Sequence, residues 1–227
     1  MATVTFKKSV SKSVYNFNLD IYQKVSGKDT FAIRAAFGHK STLSLFGEDV
    51  VVKKDLPGDD LISWEYQIYE LLEGLDLAPK CYLEEGTDYG LHLEKINSGA
   101  AFEDYIIAFL QGEIPEKIMI EIFSKVGTVL NSFWEEGFTH RDLHLRNLVV
   151  GLDEKNEFKV FLIDFSSSSH SSNDEEWGWN NGYSRGCTPT QEDDFTDIKD
   201  ALWCLFDNWG ESPSKLIRAM EDKITVI

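Results

Sequence analysis

The sequence predicts an α+β fold in which an antiparallel sheet precedes a mainly helical region. Residues 30–54 alternate apolar, β-prone runs with turn-prone residues, which is the pattern of three strands in a meander. Residues 61–72 and 117–137 instead repeat apolar side chains at helical intervals. The chain has 227 residues, of which 42% are apolar, so it can bury one good core or two smaller ones.

The predicted meander is followed by a single helix. The three strands are expected at residues 30–37, 42–46 and 50–54. The turn-forming residues Pro57 and Gly58 then separate the last strand from the helix at 61–72. Residues 1–29 show no strong period, and we treat them as an N-terminal extension.

A β-hairpin is predicted after the long helix at 117–137. Two short apolar runs, 148–150 and 160–163, flank a turn-like segment at 151–156. A hairpin brings its two ends together, so Asn147 and Asp164 are expected to approach each other.

The residues around this hairpin carry the clearest chemical signal. Residues 139–147 read Thr-His-Arg-Asp-Leu-His-Leu-Arg-Asn, and an Asp-Phe pair follows at Asp164. Phosphoryl transfer from a magnesium-bound nucleotide needs a carboxylate that orients the acceptor hydroxyl, and oxygen ligands that hold the metal against the phosphates. Asp142 fits the first role, and Asn147 and Asp164 fit the second. Any one of these residues alone would more often cap a turn, but the complete string is far more specific.

The order of these residues resembles the protein-kinase-like superfamily. The resemblance covers residues 30–205 and rests on Lys53, Glu65, the segment 91–96, the His-Arg-Asp string, Asn147 and Asp164. It implies a bilobal fold with an antiparallel sheet and one helix in the N-lobe, and a truncated, mainly helical C-lobe. The implied division is an extension at 1–29, an N-lobe at 30–94 and a C-lobe at 95–227. ATP and Mg²⁺ are the implied cofactors.

The resemblance also assigns a nucleotide site. In that superfamily a strand lysine contacts the α- and β-phosphates, and a glutamate from the next helix orients it. Lys53 and Glu65 fit those roles, with Lys54 as the competing lysine, and residues 91–96 resemble the strand and hinge beside the adenine. The implied ATP-binding residues are Gly38, Val51, Lys53, Leu93, Glu94, Ile96 and Asp164.

Three further residues receive supporting roles from the resemblance. His140 is expected to order the loop through backbone hydrogen bonds. Arg141 is expected to pair with a phosphorylated activation segment, and we hypothesise that a phosphoserine within 166–172 would order that segment. A buried aspartate of a later helix braces the loop in this superfamily, and Asp197 is the first choice, with Asp194 second.

Several positions depart from the superfamily pattern. Gly38 is followed by the next glycine only at Gly47, so fewer backbone N–H groups can approach the phosphates. Ser166 replaces the glycine of the Asp-Phe-Gly triplet, and His144 stands where many Ser/Thr kinases have lysine. Arg146 resembles the arginine of tyrosine-kinase loops, whereas the Asp-Leu-His string resembles aminoglycoside and choline kinases. The class of acceptor is therefore open.

The predicted function is ATP- and Mg²⁺-dependent transfer of the γ-phosphate to a Ser/Thr or Tyr hydroxyl of a protein. One alternative is a small-molecule phosphotransferase of the aminoglycoside or choline kinase type. The other is a nucleotide-binding scaffold or ATPase that acts through a partner, which the reduced glycine loop and short C-lobe favour.

Composition restricts the partners and the compartment. The net charge of −17 disfavours direct binding to nucleic acid and favours basic protein substrates, and a regulatory partner is compatible with it. No apolar run approaches twenty residues, so we expect no membrane insertion or secretion. Three scattered cysteines form neither a metal motif nor a disulfide framework, which favours a reducing, cytoplasmic location.

Overall fold

A computed structural model defines the architecture. It describes residues 23–24, 30–34, 41–46, 50–55, 61–82, 91–94, 96, 99–171 and 190–225, with side chains from residue 64 onward. The chain divides into two compact units, one of residues 1–74 with 79–96 and one of residues 75–78 with 97–227. The predicted division into 1–29, 30–94 and 95–227 stays a prediction.

The described part of the first unit is an antiparallel sheet with one helix. Its strands are β1 (Gln23–Lys24), β2 (Thr30–Arg34), β3 (Ser41–Phe46), β4 (Val50–Asp55), β5 (Cys81–Tyr82) and β6 (Leu91–Glu94). They lie in the order β1-β2-β3-β4-β6-β5, and helix α1 (Leu61–Leu71) packs against β4. The predicted meander is confirmed by β2, β3 and β4, although residues 35–37 of the first predicted strand lie outside the described residues.

The second unit contains four helices within its described residues, together with short strand pairs. The helices are α2 (Phe102–Leu110), α3 (Glu116–Glu135), α4 (Gln191–Asp207) and α5 (Ser214–Glu221). The strands are β7 (Ala100–Ala101), β8 (Phe138–Thr139), β9 (Leu148–Leu152), β10 (Phe158–Leu162) and β11 (Ser169–His170). The α+β fold class is therefore confirmed.

Helix α3 forms the centre of the second unit. Its apolar face is buried along its whole length, through Met119, Ile122, Phe123, Val126, Leu130 and Phe133. The helix ends close to the predicted position, because Gly137 adopts φ +85°, a conformation that glycine accepts without strain. Among the described residues, no helix is both long and apolar enough to cross a membrane.

The predicted hairpin is formed by β9 and β10. Val150 pairs with Val160, and Leu148 pairs with Leu162, so both strands end at the same place. One further bond extends the hairpin, since the Ile163 N–H donates to the Asn147 carbonyl at 3.0 Å. The hairpin therefore brings Asn147 next to Ile163, the residue that precedes Asp164.

Candidate active site

The segment 139–147, which we call the catalytic loop, connects β8 to β9. His140 is fully buried at its start, and its ring centroid lies 5.4 Å from that of Phe165. The His140 Nε2–H donates to the Ile163 carbonyl at 3.0 Å. Burial lowers the pKa of His140 to about 4, so the ring is neutral at physiological pH. His140 therefore ties the loop to the residue before Asp164.

Asp194 holds the same end of the loop from helix α4. Its carboxylate, only 1% exposed, accepts hydrogen bonds from the N–H of His140 at 2.6 Å and of Arg141 at 2.8 Å. The Trp134 indole N–H adds a third, longer bond at 3.4 Å. Burial raises the pKa of Asp194 to about 6, although these donors oppose the rise. A buried carboxylate with such partners fixes the backbone that it accepts from.

The first choice for this brace, Asp197, is wrong, and the second choice, Asp194, takes the role. Asp197 is exposed. The buried positions of α4 recur every four residues, at Asp194, Ile198, Leu202 and Phe206. Asp197 lies off this stripe, so its carboxylate cannot face the loop.

Arg141 gives the loop its turn. Its φ is +64°, in the left-handed region that residues other than glycine rarely adopt. Such strain persists only where neighbouring contacts fix it, and here the Asp194 carboxylate binds the Arg141 N–H. Arg141 is predicted to pair with a phosphoserine within residues 166–172. The structure describes residues 166–171 of that segment but not residue 172, and the pairing stays a prediction.

Asp142 and Asn147 face each other across the loop. The buried Asn147 Nδ2 donates to the Asp142 carbonyl at 2.9 Å, and the Asn147 N–H donates to the His144 carbonyl at 2.9 Å. Because the amide nitrogen is engaged, the amide oxygen of Asn147 is the atom suited to a cation. The Asp142 residue is exposed, so its carboxylate is accessible to a substrate.

Asp164 follows the end of β10 and is half-buried. Its φ and ψ are both 65°, and the Ser166 hydroxyl donates to its Oδ1 at 3.1 Å. The structure thus places Asp142, Asn147 and Asp164 on connected segments of one unit. The roles assigned to them stay predictions.

The donor atoms suit magnesium. Mg²⁺ prefers oxygen ligands and is usually bound by one or two carboxylates, with waters and substrate phosphates completing the octahedron. The amide oxygen of Asn147 and the carboxylate of Asp164 fit that requirement. In the described part of the chain, no group of three or more His, Cys, Asp or Glu side chains forms a self-sufficient metal site.

Two further side chains of the catalytic loop, His144 and Arg146, have polar neighbours. His144 is half-buried, and its Nδ1 accepts the Arg146 N–H at 3.3 Å. Burial lowers the pKa of His144, and the nearby Asp142 carboxylate opposes that change. The Arg146 Nε lies 3.8 Å from the Oε2 of Glu103, on the first turn of α2. Sequence reasoning missed Glu103, because no local pattern connects α2 to the loop.

The residues predicted to bind the nucleotide from the first unit are only partly described. Lys53 lies on β4 opposite Leu91 of β6, and Lys54 follows it on the same strand, but neither side chain is among the described ones. Gly38 lies outside the described residues. Glu65 is fully buried on α1, a position that a carboxylate occupies only with a partner.

The predicted hinge is described at three positions. Val51 pairs with Leu93 across β4 and β6, and Leu93 is buried. The Glu94 N–H donates to the Lys80 carbonyl at 2.8 Å, and the Glu94 carboxylate accepts the Lys80 N–H at 3.3 Å. Ile96 is half-buried.

Comparisons with known proteins give one family model and two curated relatives. The model of the lipopolysaccharide kinase (Kdo/WaaP) family matches residues 91–181, which include the catalytic loop and Asp164. The chain is 35% identical over 113 residues to a probable serine/threonine-protein kinase, fnkB, of Dictyostelium discoideum. The matched stretch covers 48% of this chain and 20% of that protein. The chain is also 36% identical over 77 residues to the serine/threonine-protein kinase zyg-8 of Caenorhabditis elegans. This matched stretch covers 34% of this chain and 9% of that protein. The chain therefore spans a fifth or less of these curated relatives.

Proposed function

We propose that this chain is a kinase of the protein-kinase-like superfamily that transfers the γ-phosphate of ATP, in the presence of Mg²⁺, to a hydroxyl group, and its matches to a kinase family model and to two serine/threonine-protein kinases support this. The observation that carries this proposal is the arrangement of Asp142, Asn147 and Asp164, in which the catalytic loop and the end of β10 are joined through hydrogen bonds of Asn147. The Asn147 side-chain Nδ2 donates to the Asp142 backbone carbonyl, and the Asn147 backbone carbonyl accepts the Ile163 N–H, so Asn147 connects Asp142 to the residue before Asp164.

Each side chain then has a distinct task. The Asp142 carboxylate orients the acceptor hydroxyl and accepts its proton, which is the role of a positioned general base. The oxygens of Asn147 and Asp164 would hold Mg²⁺, which would supply positive charge to the phosphoryl oxygens of the nucleotide. Lys53 and Glu65 of the first unit keep the roles that the resemblance assigns to them, a lysine for the phosphates and a glutamate that orients it. Catalysis by this set is mainly positioning and electrostatic stabilisation.

A protein hydroxyl is the leading acceptor. Both curated relatives are described as serine/threonine-protein kinases, and their matches support the same activity here. The net charge of −17 favours acceptor segments that carry Lys or Arg.

A non-protein acceptor is the second candidate. The matching family is described as lipopolysaccharide kinases, and the Asp-Leu-His string at 142–144 resembles small-molecule phosphotransferases. These acceptors would present a sugar or alcohol hydroxyl to the same Asp142 carboxylate.

The test is transfer of label from γ-labelled ATP with Mg²⁺. The wild type is compared with Asp142→Asn and Asp164→Ala, and with Asp207→Asn as an exposed aspartate of α4 that serves as a matched control. The acceptors are the protein itself, a basic generic protein, and a pool of lipopolysaccharide and soluble metabolites. We expect both site variants to lose roughly 100-fold or more in rate, and the control to keep the wild-type rate.

The acceptor that becomes labelled distinguishes the two candidate functions. Label on protein that vanishes in both site variants supports a protein kinase. Label confined to the lipid or metabolite pool supports the second candidate. Binding of ATP with Mg²⁺ but no transfer to any acceptor would contradict the proposal and favour a nucleotide-binding scaffold.

A further inference from the structure

The backbone that follows Asp164 is fixed by contacts of Phe165 and of Ser168. Phe165–Ser167 form one 3-10 turn, and the buried Phe165 ring packs between the rings of His140 and Phe133, with centroids 5.4 and 5.9 Å away. Ser168 closes the turn, because its N–H donates to the Phe165 carbonyl at 3.0 Å and its hydroxyl donates to the His140 carbonyl at 3.2 Å. These contacts hold Asp164 in its left-handed conformation although it is not a glycine.

A fixed backbone does not by itself fix a carboxylate. The χ2 torsion of aspartate has broad, poorly separated minima, so the two oxygens can rotate about the Cβ–Cγ bond. In this turn the Ser166 Oγ–H donates to the Asp164 Oδ1 at 3.1 Å. The bond spans only two residues on a rigid turn, and it therefore opposes rotation of the carboxylate.

The glycine that the superfamily has at this position could not make that bond. Glycine has no hydroxyl, and its backbone would also be freer to leave the turn. The substitution of serine thus adds one hydrogen-bond donor at the side chain that is assigned to the metal. Hydrogen bonds to ligating carboxylates commonly change metal affinity by roughly 10- to 100-fold, because they fix the orientation of the ligand.

We propose that Ser166 is a positioning residue, whose hydroxyl holds the Asp164 carboxylate in the orientation that receives a divalent cation together with the nucleotide. This inference rests on the proposed function. Mg²⁺ tolerates little deviation from octahedral geometry, so a carboxylate of fixed orientation binds it more tightly than one that rotates. The hydroxyl itself does not contact the reacting atoms.

The inference is tested by cation binding as well as by activity. Mn²⁺ binding in the presence of ADP is measured by electron paramagnetic resonance for the wild type, Ser166→Ala, Ser166→Thr and Asp164→Ala. Ser167→Ala, on the same 3-10 turn, is the matched control. We expect Ser166→Ala to bind Mn²⁺ about tenfold more weakly, Ser166→Thr to bind it as the wild type does, and Ser167→Ala to be unchanged.

The Mg²⁺ dependence of the rate should change in the same variants as Mn²⁺ binding does. In Ser166→Ala the Mg²⁺ concentration for half-maximal rate should rise about tenfold, while kcat at saturating Mg²⁺ changes less than twofold. Thermal unfolding of every variant checks that the fold is intact. If Ser166 had only a structural role, Ser166→Ala would lower the melting temperature. It would not raise the Mg²⁺ concentration for half-maximal rate while leaving kcat nearly unchanged.

Two results would overturn the inference, and they are distinguishable. If Asp164→Ala loses Mn²⁺ binding while Ser166→Ala keeps it, the role of Ser166 fails and the proposed function stands. If the wild type and Asp164→Ala bind Mn²⁺ equally, the metal site itself fails, and the proposed function and this inference fail together.

Discussion

The catalytic loop and the contact between helices α3 and α5 belong to the same unit, yet different forces hold them. Loop residues His140 and Arg141 are fixed by directional hydrogen bonds from their backbone N–H groups to the buried Asp194 carboxylate. Helices α3 and α5 instead meet by close packing. A Cβ built on Gly127 of α3 would lie 2.2 Å from the Met220 carbonyl oxygen of α5.

The difference follows from what each region must do. Asp142 is exposed, and the role proposed for it requires access to a substrate, so apolar side chains cannot cover this part of the loop. Its shape depends on a few buried polar atoms that come from another element, and each of them is difficult to replace. The helix pair is held mainly by close packing, and the exposed ion pair of Lys215 and Glu116 adds little to it.

Removal of the brace should have the largest effect. Asp194→Ala leaves the N–H groups of His140 and Arg141 without their acceptor in a buried site, which should lower the free energy of unfolding by about 3 kcal/mol. The loop should also lose its shape, and the rate of phosphoryl transfer should fall roughly 100-fold. Denaturant unfolding and the labelled-ATP assay measure the two effects. The matched control is Asp197→Ala, an exposed carboxylate of the same helix, and an equal loss there would contradict the assignment.

A steric change in the helix pair should affect stability alone. Gly127→Ala places a methyl group against the Met220 carbonyl and should lower the free energy of unfolding by about 2 kcal/mol. Because an added Cβ on Gly127 would meet Met220 and Lys223 first, the rate should stay within twofold of the wild type at temperatures where the variant is folded. Thr128→Ala, the adjacent exposed position of α3, is the control and should change neither quantity. A large loss of activity in folded Gly127→Ala would show that the two regions are coupled.

The pH dependence of Asp194 should separate stability from activity. Its pKa is about 6 in the folded protein, above the ordinary value of 3.8, so the folded state takes up the proton first as the pH falls. The free energy of unfolding of the wild type, relative to Asp194→Asn, should therefore decrease as the pH rises from about 4 to 6. The activity should change in the opposite direction, because a protonated carboxyl is a weaker acceptor for the loop N–H groups. A relative stability that is flat over this window would rule out the raised pKa.

An ion pair near the helix contact should contribute least. The Lys199 Nζ lies 2.7 Å from the Glu221 Oε1, and both side chains are more than a third exposed. Lys199→Gln should lower the free energy of unfolding by about 0.5 kcal/mol at low ionic strength, and high salt should reduce the difference. The more exposed pair of Lys215 and Glu116 provides the comparison, since Lys215→Gln should cost no more. A loss that high salt leaves unchanged would indicate packing, such as the contact of Lys199 with the Phe195 ring.

Local sequence was sufficient where the residues of a feature are close along the chain. The hairpin of β9 and β10 follows from two apolar runs around one turn, and its ends place Asn147 beside Ile163. The meander in the first unit was predicted for the same reason. The catalytic loop could be identified because its residue types stand at fixed spacing within one short segment.

Local sequence was insufficient where two distant segments meet. The pair of Arg146 and Glu103 joins the loop to α2, and nothing in either segment indicates the other. The choice between Asp194 and Asp197 depended on which side of α4 faces the loop. The four-residue spacing of Asp194, Ile198, Leu202 and Phe206 contained that information, but an aspartate at the start of an apolar stripe was not recognised as part of it.

The sequence by itself determined the chemical groups of the candidate site and the turn that brings Asn147 towards Asp164, because those features depend on short-range geometry. The tertiary structure alone decided which carboxylate braces the loop and which acidic residue approaches Arg146. The physical reason is burial: a helix turns whichever face buries most apolar area towards the core. The polar residues that lie on that face then become partners for the loop, and the others remain in solvent.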